Sequence, residues 1–125
     1  MPRLPADPEG FIRANTALEA PSMVPEFKLW LASEYVPIWQ ATEAWLEEQN
    51  VDPPYWAFCW PGGQAVARYL LDNPEVVAGK RVIDFAAGSG VSSMAAARCG
   101  AASVVANDID RLSLVAARLN ATANG

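Results

Sequence analysis

The sequence predicts an α/β fold whose second half opens a doubly wound sheet of parallel strands. Two observations predict it. Two short apolar runs, Val82-Ile83-Asp84-Phe85 and Ser103-Val104-Val105-Ala106-Asn107, are each followed by a segment of helical spacing, so the order is strand, helix, strand, helix. The first run also passes into its helix through Ala86-Ala87-Gly88-Ser89-Gly90, residues with small or absent side chains, as a connection at the ligand-binding edge of such a sheet requires. With 125 residues, 52% of them hydrophobic, the chain has the size and apolar content of one packed unit.

Taken in order, the proline-rich residues 1–7 resist regular structure, and residues 9–17 predict a short polar helix with Phe11, Ile12 and Leu18 as its apolar positions. After Pro25, Phe27, Leu29 and Leu31 alternate with Glu26, Lys28 and Trp30, which predicts a strand with one buried face. Pro37 suits a first helical turn. Ile38, Ala41, Trp45 and Leu46 follow at helical spacing as far as Asn50, with Glu43, Glu47 and Glu48 facing out, before Pro53-Pro54 ends the run. Residues 1–52 therefore read as an N-terminal extension with one strand and helices, and residues 53–125 as the first part of the Rossmann-like domain. In the latter, the aromatic residues 55–60 precede Pro61-Gly62-Gly63, which open a helix with Val66, Tyr69 and Leu70 on one side and Asn73-Pro74 as its close. Residues 82–85 read as a buried strand, apolar enough to be flanked on both sides. Residues 91–99 form a helix stopped by Gly100, Ser103–Asn107 a second strand, and Arg111–Ala123 a last helix. The two strands are expected to lie parallel and adjacent, with Gly88 and Asp108 opening on the same edge.

The formal charge of -5, with nine scattered basic residues, argues against a phosphate-backbone partner, which needs clustered Lys and Arg. Cys59 and Cys99 are isolated, and no histidine is present to join them in a zinc site or to activate a Ser or Cys nucleophile. Both read as reduced packing residues, and no metal is expected. The start lacks the apolar run of a signal peptide and no stretch reaches membrane-span length, so a cytoplasmic location is expected.

The sharpest feature is the strand end from Asp84 to Gly90. Small residues let the backbone approach a ligand, and the N-terminus of the next helix offers N–H donors and partial positive charge to a phosphate or a carboxylate. A dinucleotide fingerprint aligned on Gly88 and Gly90 puts Ser93 at the third glycine, an incomplete match. The alternative is an acid two positions before alternating small residues, supplied by Asp84, Ala86, Gly88 and Gly90. That pattern suits S-adenosylmethionine, whose methionine end carries an ammonium beside its carboxylate, whereas a pyrophosphate would be repelled by the acid. Asp108, 24 residues after Asp84, ends the second strand, where a carboxylate can accept both hydroxyls of a ribose. Asp110 is the alternative, with its side chain expected to point elsewhere. The bland reading is a tight connection, with Asp108 a solvated loop acid or helix cap. The aromatic segment Tyr55, Trp56, Phe58 and Trp60 is open between core and one wall of a cofactor pocket.

These residues resemble the seven-strand (class I) protein-lysine methyltransferases, and within them the group acting on the beta subunit of electron transfer flavoprotein. The resemblance runs from about Pro25 to the end through Pro54-Tyr55-Trp56-Ala57-Phe58, Trp60-Pro61-Gly62-Gly63-Gln64-Ala65, Arg68-Tyr69-Leu70-Leu71-Asp72-Asn73-Pro74, the Asp84 loop and Ala106-Asn107-Asp108-Ile109-Asp110. It implies a class I methyltransferase fold, truncated after the second core strand and its helix, with S-adenosylmethionine as cofactor. Position by position it implies that Trp60 contacts the cofactor, that Ala86, Ala87 and Gly88 line its methionine portion and that Asp108 holds the ribose, with Asp84 and Gly90 completing the set. The departure is Ala86, where the family usually has glycine. The implied reaction moves a methyl group from sulfonium to a deprotonated lysine amine of a protein substrate, the flavoprotein's beta subunit, by in-line displacement without a metal. No catalytic residue is nominated, because the lysine-facing groups are expected beyond Gly125, and the 125-residue chain alone is expected to be inactive and prone to association. The rival readings are a non-catalytic module with a degenerate cofactor fold, a small-molecule methyltransferase and a nicotinamide-dependent oxidoreductase.

Overall fold

The computed structural model describes residues 3–33, 38 and 41–125. Asp7 starts the first helix, α1 (Pro8–Asn15): its carboxylate accepts the Gly10 amide at 3.1 Å and Pro8 fills the first turn. The helix stops at Thr16, whose backbone is extended, so Leu18, expected on the helix, lies instead in β1 (Ala17–Glu19) with 43% of its surface exposed. β1 pairs antiparallel with β2 (Leu29–Leu31), Ala17 opposite Leu31. The alternation around β2 works as predicted, since Phe27, Leu29 and Leu31 are buried and Trp30 only partly so.

Helix α2 (Glu43–Glu48) is capped by Thr42, whose hydroxyl accepts the Trp45 amide at 3.1 Å. Pro37, the predicted first turn, lies outside the described residues. A single 3-10 turn, Tyr55–Ala57, buries Trp56 and Ala57 and leads into α3 (Pro61–Asp72). The phase of α3 differs from the predicted one. Leu70 faces inward as predicted, but with Ala67 beside it, while Val66 and Tyr69 are half or more exposed. The inward face is the one that meets the next helix, where close approach favours the small side chains of Ala67 and Gly63 over the bulk of Tyr69.

The β-α-β-α order follows as β3 (Arg81–Phe85), α4 (Val91–Arg98), β4 (Ser103–Asn107) and α5 (Arg111–Ala123). β3 and β4 are parallel neighbours, in register from Arg81 opposite Ser103 to Phe85 opposite Asn107. Val82 and Val104 pack on a core built from Phe27, Leu29, Ala67, Leu70, Val91 and Ala95. Ile83, Phe85 and Val105 point the other way and are 73%, 83% and 56% exposed, so the strand expected to be buried is covered on one face. The reason is that α3 and α4 pack on the Val82 and Val104 side, which α5 also flanks along Val104 and Ala106. A second core joins Phe11, Ile12, Leu46 and Trp56 to Leu112, Ala116 and Leu119 of α5.

Helix α5 also holds the N-terminal hairpin by polar contacts. Asn120 accepts the Trp30 amide at 2.7 Å, and Asn124 accepts the Lys28 amide at 2.9 Å while donating to the Lys28 carbonyl at 2.6 Å. Two asparagine side chains thus continue the hydrogen-bonding edge of β2, where no strand among the described residues is paired. No helix among the described residues is long and apolar enough to cross a membrane.

Candidate functional site

The loop between β3 and α4 is shaped by alternating left-handed residues: Ala86, Gly88 and Gly90 have φ of 57°, 57° and 84°. Two of these are glycines, for which the conformation is free, while Ala86 carries a Cβ against it at about 1–2 kcal/mol. The Ala87 amide donates to the Asn107 carbonyl at 2.9 Å, extending the β3–β4 ladder by one bond before the chain turns away, and the Gly90 amide then donates to Ala87 at 2.9 Å. Gly90 is the residue before α4, and a Cβ built there would stand 3.0 Å from the Ala117 Cβ, so helix α5 closes on the loop at this point.

Two carboxylates flank the loop. Asp84 is the fourth residue of β3, and its Oδ2 accepts the Ser93 amide at 3.0 Å and the Ser93 hydroxyl at 2.6 Å. Ser93 stands in the first turn of α4, where amides lack intrahelical partners, so the acid of the strand caps the helix that follows the loop. Asp108 follows β4 directly. Its Oδ2 accepts the Gly88 amide at 2.9 Å and its Oδ1 the Asp110 amide at 2.9 Å, which ties the end of the second strand to the middle of the loop. Asp110 turns away from the loop to cap α5, accepting the Leu112 amide at 2.9 Å. Burial pushes its carboxyl above the ordinary range, the Asp108 and Asp52 charges add to this, and the Leu112 and Ser113 amides oppose it.

Trp60 precedes α3 with 53% of its surface exposed, its indole Nε1 donating to the Tyr55 carbonyl at 2.9 Å and its ring 5.8 Å from that of Phe58. Trp60, Asp84, Ala86, Ala87 and Gly88 border one cavity of about 290 Å³, together with Phe58 and Gly62. Asp108 reaches this group through its bond to Gly88, whereas Gly90 faces α5 and a separate groove. That groove, about 400 Å³, is larger, but Met94, Ala97, Val104, Leu114 and Ala121 make it apolar and no carboxylate lines it. Among the described residues Arg118 is the one charged residue along that groove, and the carboxylate belongs to the smaller cavity. Cys59 is not a nucleophile there: burial pushes its thiol up to about 11, against a hydrogen bond with Ser89.

Three residues around the loop escape a reading of the sequence by motif: Ser93, Ser113 and Asn120. Ser93 was visible only as a mismatch to the third glycine of a dinucleotide fingerprint, yet as the third residue of α4 it faces back onto the end of β3. Ser113 and Asn120 are polar residues seven apart on a helix face otherwise made of Leu112, Ala116, Ala117 and Leu119. That spacing is the signal that marks them.

A family model described as ribosomal protein L11 methyltransferase (PrmA) matches residues 66–125. The chain is 41% identical over 119 residues to the electron transfer flavoprotein beta subunit lysine methyltransferase homolog of Caenorhabditis elegans, covering 95% of this chain and 47% of the relative. To the electron transfer flavoprotein beta subunit lysine methyltransferase of Danio rerio it is 44% identical over 120 residues, covering 94% of this chain and 45% of the relative. The crystal structure of ribosomal protein L11 methylase from Lactobacillus delbrueckii subsp. bulgaricus is 33% identical, with a TM-score of 0.48, over 72% of this chain and 47% of that one. The chain is similar to methyltransferases over nearly its whole length, and its parallel β3–β4 pair with a helix after each strand is the opening of a Rossmann-like fold. Its relatives along nearly its whole length carry the name of one group of protein-lysine methyltransferases, and it spans about half the length of the curated relatives it matches.

Proposed function

We propose that the protein binds S-adenosylmethionine at the carboxyl edge of β3 and β4, and that the whole enzyme places the cofactor's methyl group on a lysine of a protein substrate. The substrate that the relatives' names suggest is the beta subunit of electron transfer flavoprotein. One observation carries the reading: Asp84 and Asp108 stand at the ends of adjacent parallel strands, Asp84 held by the Ser93 amide just past the small-residue loop and Asp108 by the Gly88 amide at its middle.

The donor set fits the cofactor. Both bonds to Asp84 fall on Oδ2, which leaves Oδ1 to accept from an ammonium. The two amides held by Asp108 use two of the roughly four lone-pair directions of its carboxylate, and the others are available to a pair of ribose hydroxyls. At Gly88 a Cβ would meet nothing within 4 Å, so the loop faces open space. The half-exposed ring of Trp60 forms a wall opposite. A cavity of about 290 Å³ sits near the lower end of the roughly 300–1,000 Å³ of small-molecule pockets, which suits the methionine end, with the nucleoside leading out toward Asp108. When bound, S-adenosylmethionine supplies an electrophilic methyl group on its sulfonium; this chain's residues hold and orient the two ends of the cofactor.

Calorimetric titration of the protein with S-adenosylhomocysteine and, in parallel, NAD tests the binding. Saturable binding of S-adenosylhomocysteine alone is expected. Binding of NAD alone would transfer the site to oxidoreductase chemistry, and binding of neither would mark a cofactor fold without cofactor. Incubation of the whole enzyme with the purified beta subunit and S-adenosylmethionine, read as a mass increase of one methyl group on a lysine peptide, tests the substrate; an unmodified subunit would remove that assignment.

A further inference from the structure

A loop that presents amides to a ligand must dispose of its carbonyls elsewhere. The Gly88 carbonyl accepts the Ser113 hydroxyl at 2.7 Å and the Ser89 carbonyl accepts the Asn120 Nδ2 at 2.8 Å. Both donors come from the inner face of α5 and are almost wholly buried, Ser113 at 2% and Asn120 at 0% exposure. Burying a hydroxyl or an amide is unfavourable unless each polar atom finds a partner, and here those partners are loop carbonyls. Between the two donors, Ala117 meets Gly90 at the limit of close packing. Helix α5 therefore contacts three consecutive loop residues, Gly88, Ser89 and Gly90. The second atom of the Asn120 amide, Oδ1, accepts the Trp30 amide, so the same side chain bonds the loop and β2 at once.

We propose that Ser113 and Asn120 are positioning residues for the cofactor loop. By taking the carbonyls of Gly88 and Ser89 they fix the two peptide groups that carry the Ser89 and Gly90 amides, directly after the Gly88 amide that Asp108 accepts, and Asn120 makes that orientation depend on the N-terminal hairpin. The inference rests on the cofactor reading above and extends it to two side chains that need touch no ligand.

The test compares Ser113→Ala and Asn120→Leu with Thr16→Val. Thr16 is also buried, and its hydroxyl bonds the Ile12 carbonyl at 2.5 Å in α1 rather than any loop carbonyl, so it reports the effect of losing a buried hydroxyl as such. Two quantities are read in each: hydrogen exchange of the Gly88 and Gly90 amides in ligand-free protein, and affinity for S-adenosylhomocysteine well below the melting temperature. In Ser113→Ala, exchange at these amides is expected to quicken about tenfold and affinity to fall about tenfold, the effect of one hydrogen bond. Asn120→Leu should exceed it, Thr16→Val should change neither, and Ser113→Thr, which keeps the hydroxyl, should restore both. Loop exchange and affinity in Ser113→Ala equal to those of Thr16→Val would overturn the proposal, whether or not Asn120→Leu folds. Wild-type protein that binds no S-adenosylhomocysteine would overturn the cofactor reading instead, and the exchange measurement would still decide the role of the two side chains.

Discussion

Replacing Asp108 by alanine removes a carboxylate with two separable duties. In the structure it accepts the Gly88 and Asp110 amides, each at 2.9 Å, and in the proposed complex it also accepts from a ribose. Hydrogen bonds to a charged group contribute roughly 1.5–3 kcal/mol, so the lost ribose contact alone corresponds to a weakening of about 10–150-fold. The Gly88 amide, released from its partner, adds to the loss by loosening the loop. Asp110→Ala removes the cap of α5 and should cost about 1 kcal/mol of stability, but with its carboxylate turned to Leu112 it should change affinity less than threefold. Titration calorimetry with S-adenosylhomocysteine on wild type and both variants, with far-ultraviolet spectra to establish folding, measures the difference. Equal affinities for wild type and Asp108→Ala, or a larger loss in Asp110→Ala, would refute the assignment of the ribose to Asp108.

Ala86 holds φ of 57°, so Ala86→Gly should relieve about 1–2 kcal/mol of strain, offset in part by the freer unfolded chain, for a net gain of up to about 1 kcal/mol in urea unfolding; a loss would mean that its methyl group packs usefully. Gly90→Ala combines φ of 84° with a 3.0 Å approach to Ala117 and should cost about 2 kcal/mol or more by the same assay, whereas a neutral result would show that α5 yields easily. The folded-state pKa of Asp110 is raised, so the native state keeps a proton that the unfolded chain has already released; the stability this gives is present below the ordinary carboxyl pKa and lost as pH rises through the raised one. Asp110→Asn, which retains an oxygen for Leu112, should flatten that fall in unfolding measured as pH rises from the ordinary carboxyl range, and an unchanged slope would contradict the assignment. With its thiol pushed up to about 11, Cys59 should alkylate with iodoacetamide at pH 8 far more slowly than a free thiol, as peptide mapping would read; full modification within the same time would show that burial does not govern it.

What could be read from the sequence followed regular periods. Period two marked Phe27, Leu29 and Leu31, and the succession of two apolar runs and two helical segments gave the parallel pair with Gly88 and Asp108 on one edge, because strand direction and crossover hand leave few alternatives. Tertiary context decided the rest. Residues 17–19 are too short to show a period, and they form a strand because Leu29–Leu31 lies alongside. Val66, Tyr69 and Leu70 were drawn as one apolar stripe, and the close approach of α4 kept Leu70 but paired it with the small Ala67 in place of Val66 and Tyr69. Residues 82–85 carry enough apolar bulk for a strand buried on both faces, but the local sequence does not say which face the following helices cover. At the site, the acids were visible because their positions follow from strand ends. The residues behind the loop were not, since an Asn or Ser in a helix acquires meaning only from the backbone that it meets.

The contacts that fix the loop run in one direction along the chain. Trp30 lies 90 positions before the Asn120 that receives its amide, and the Ser89 carbonyl lies 31 positions before the same side chain. Synthesis delivers the chain from its N-terminus, so the hairpin and the loop emerge first and wait for the helix that binds both. A nascent chain halted between Asp108 and Asn120 already carries both acids and the aromatic wall, and still lacks the group that joins its loop to the hairpin. The shape of the loop is therefore complete only when α5 has left the ribosome.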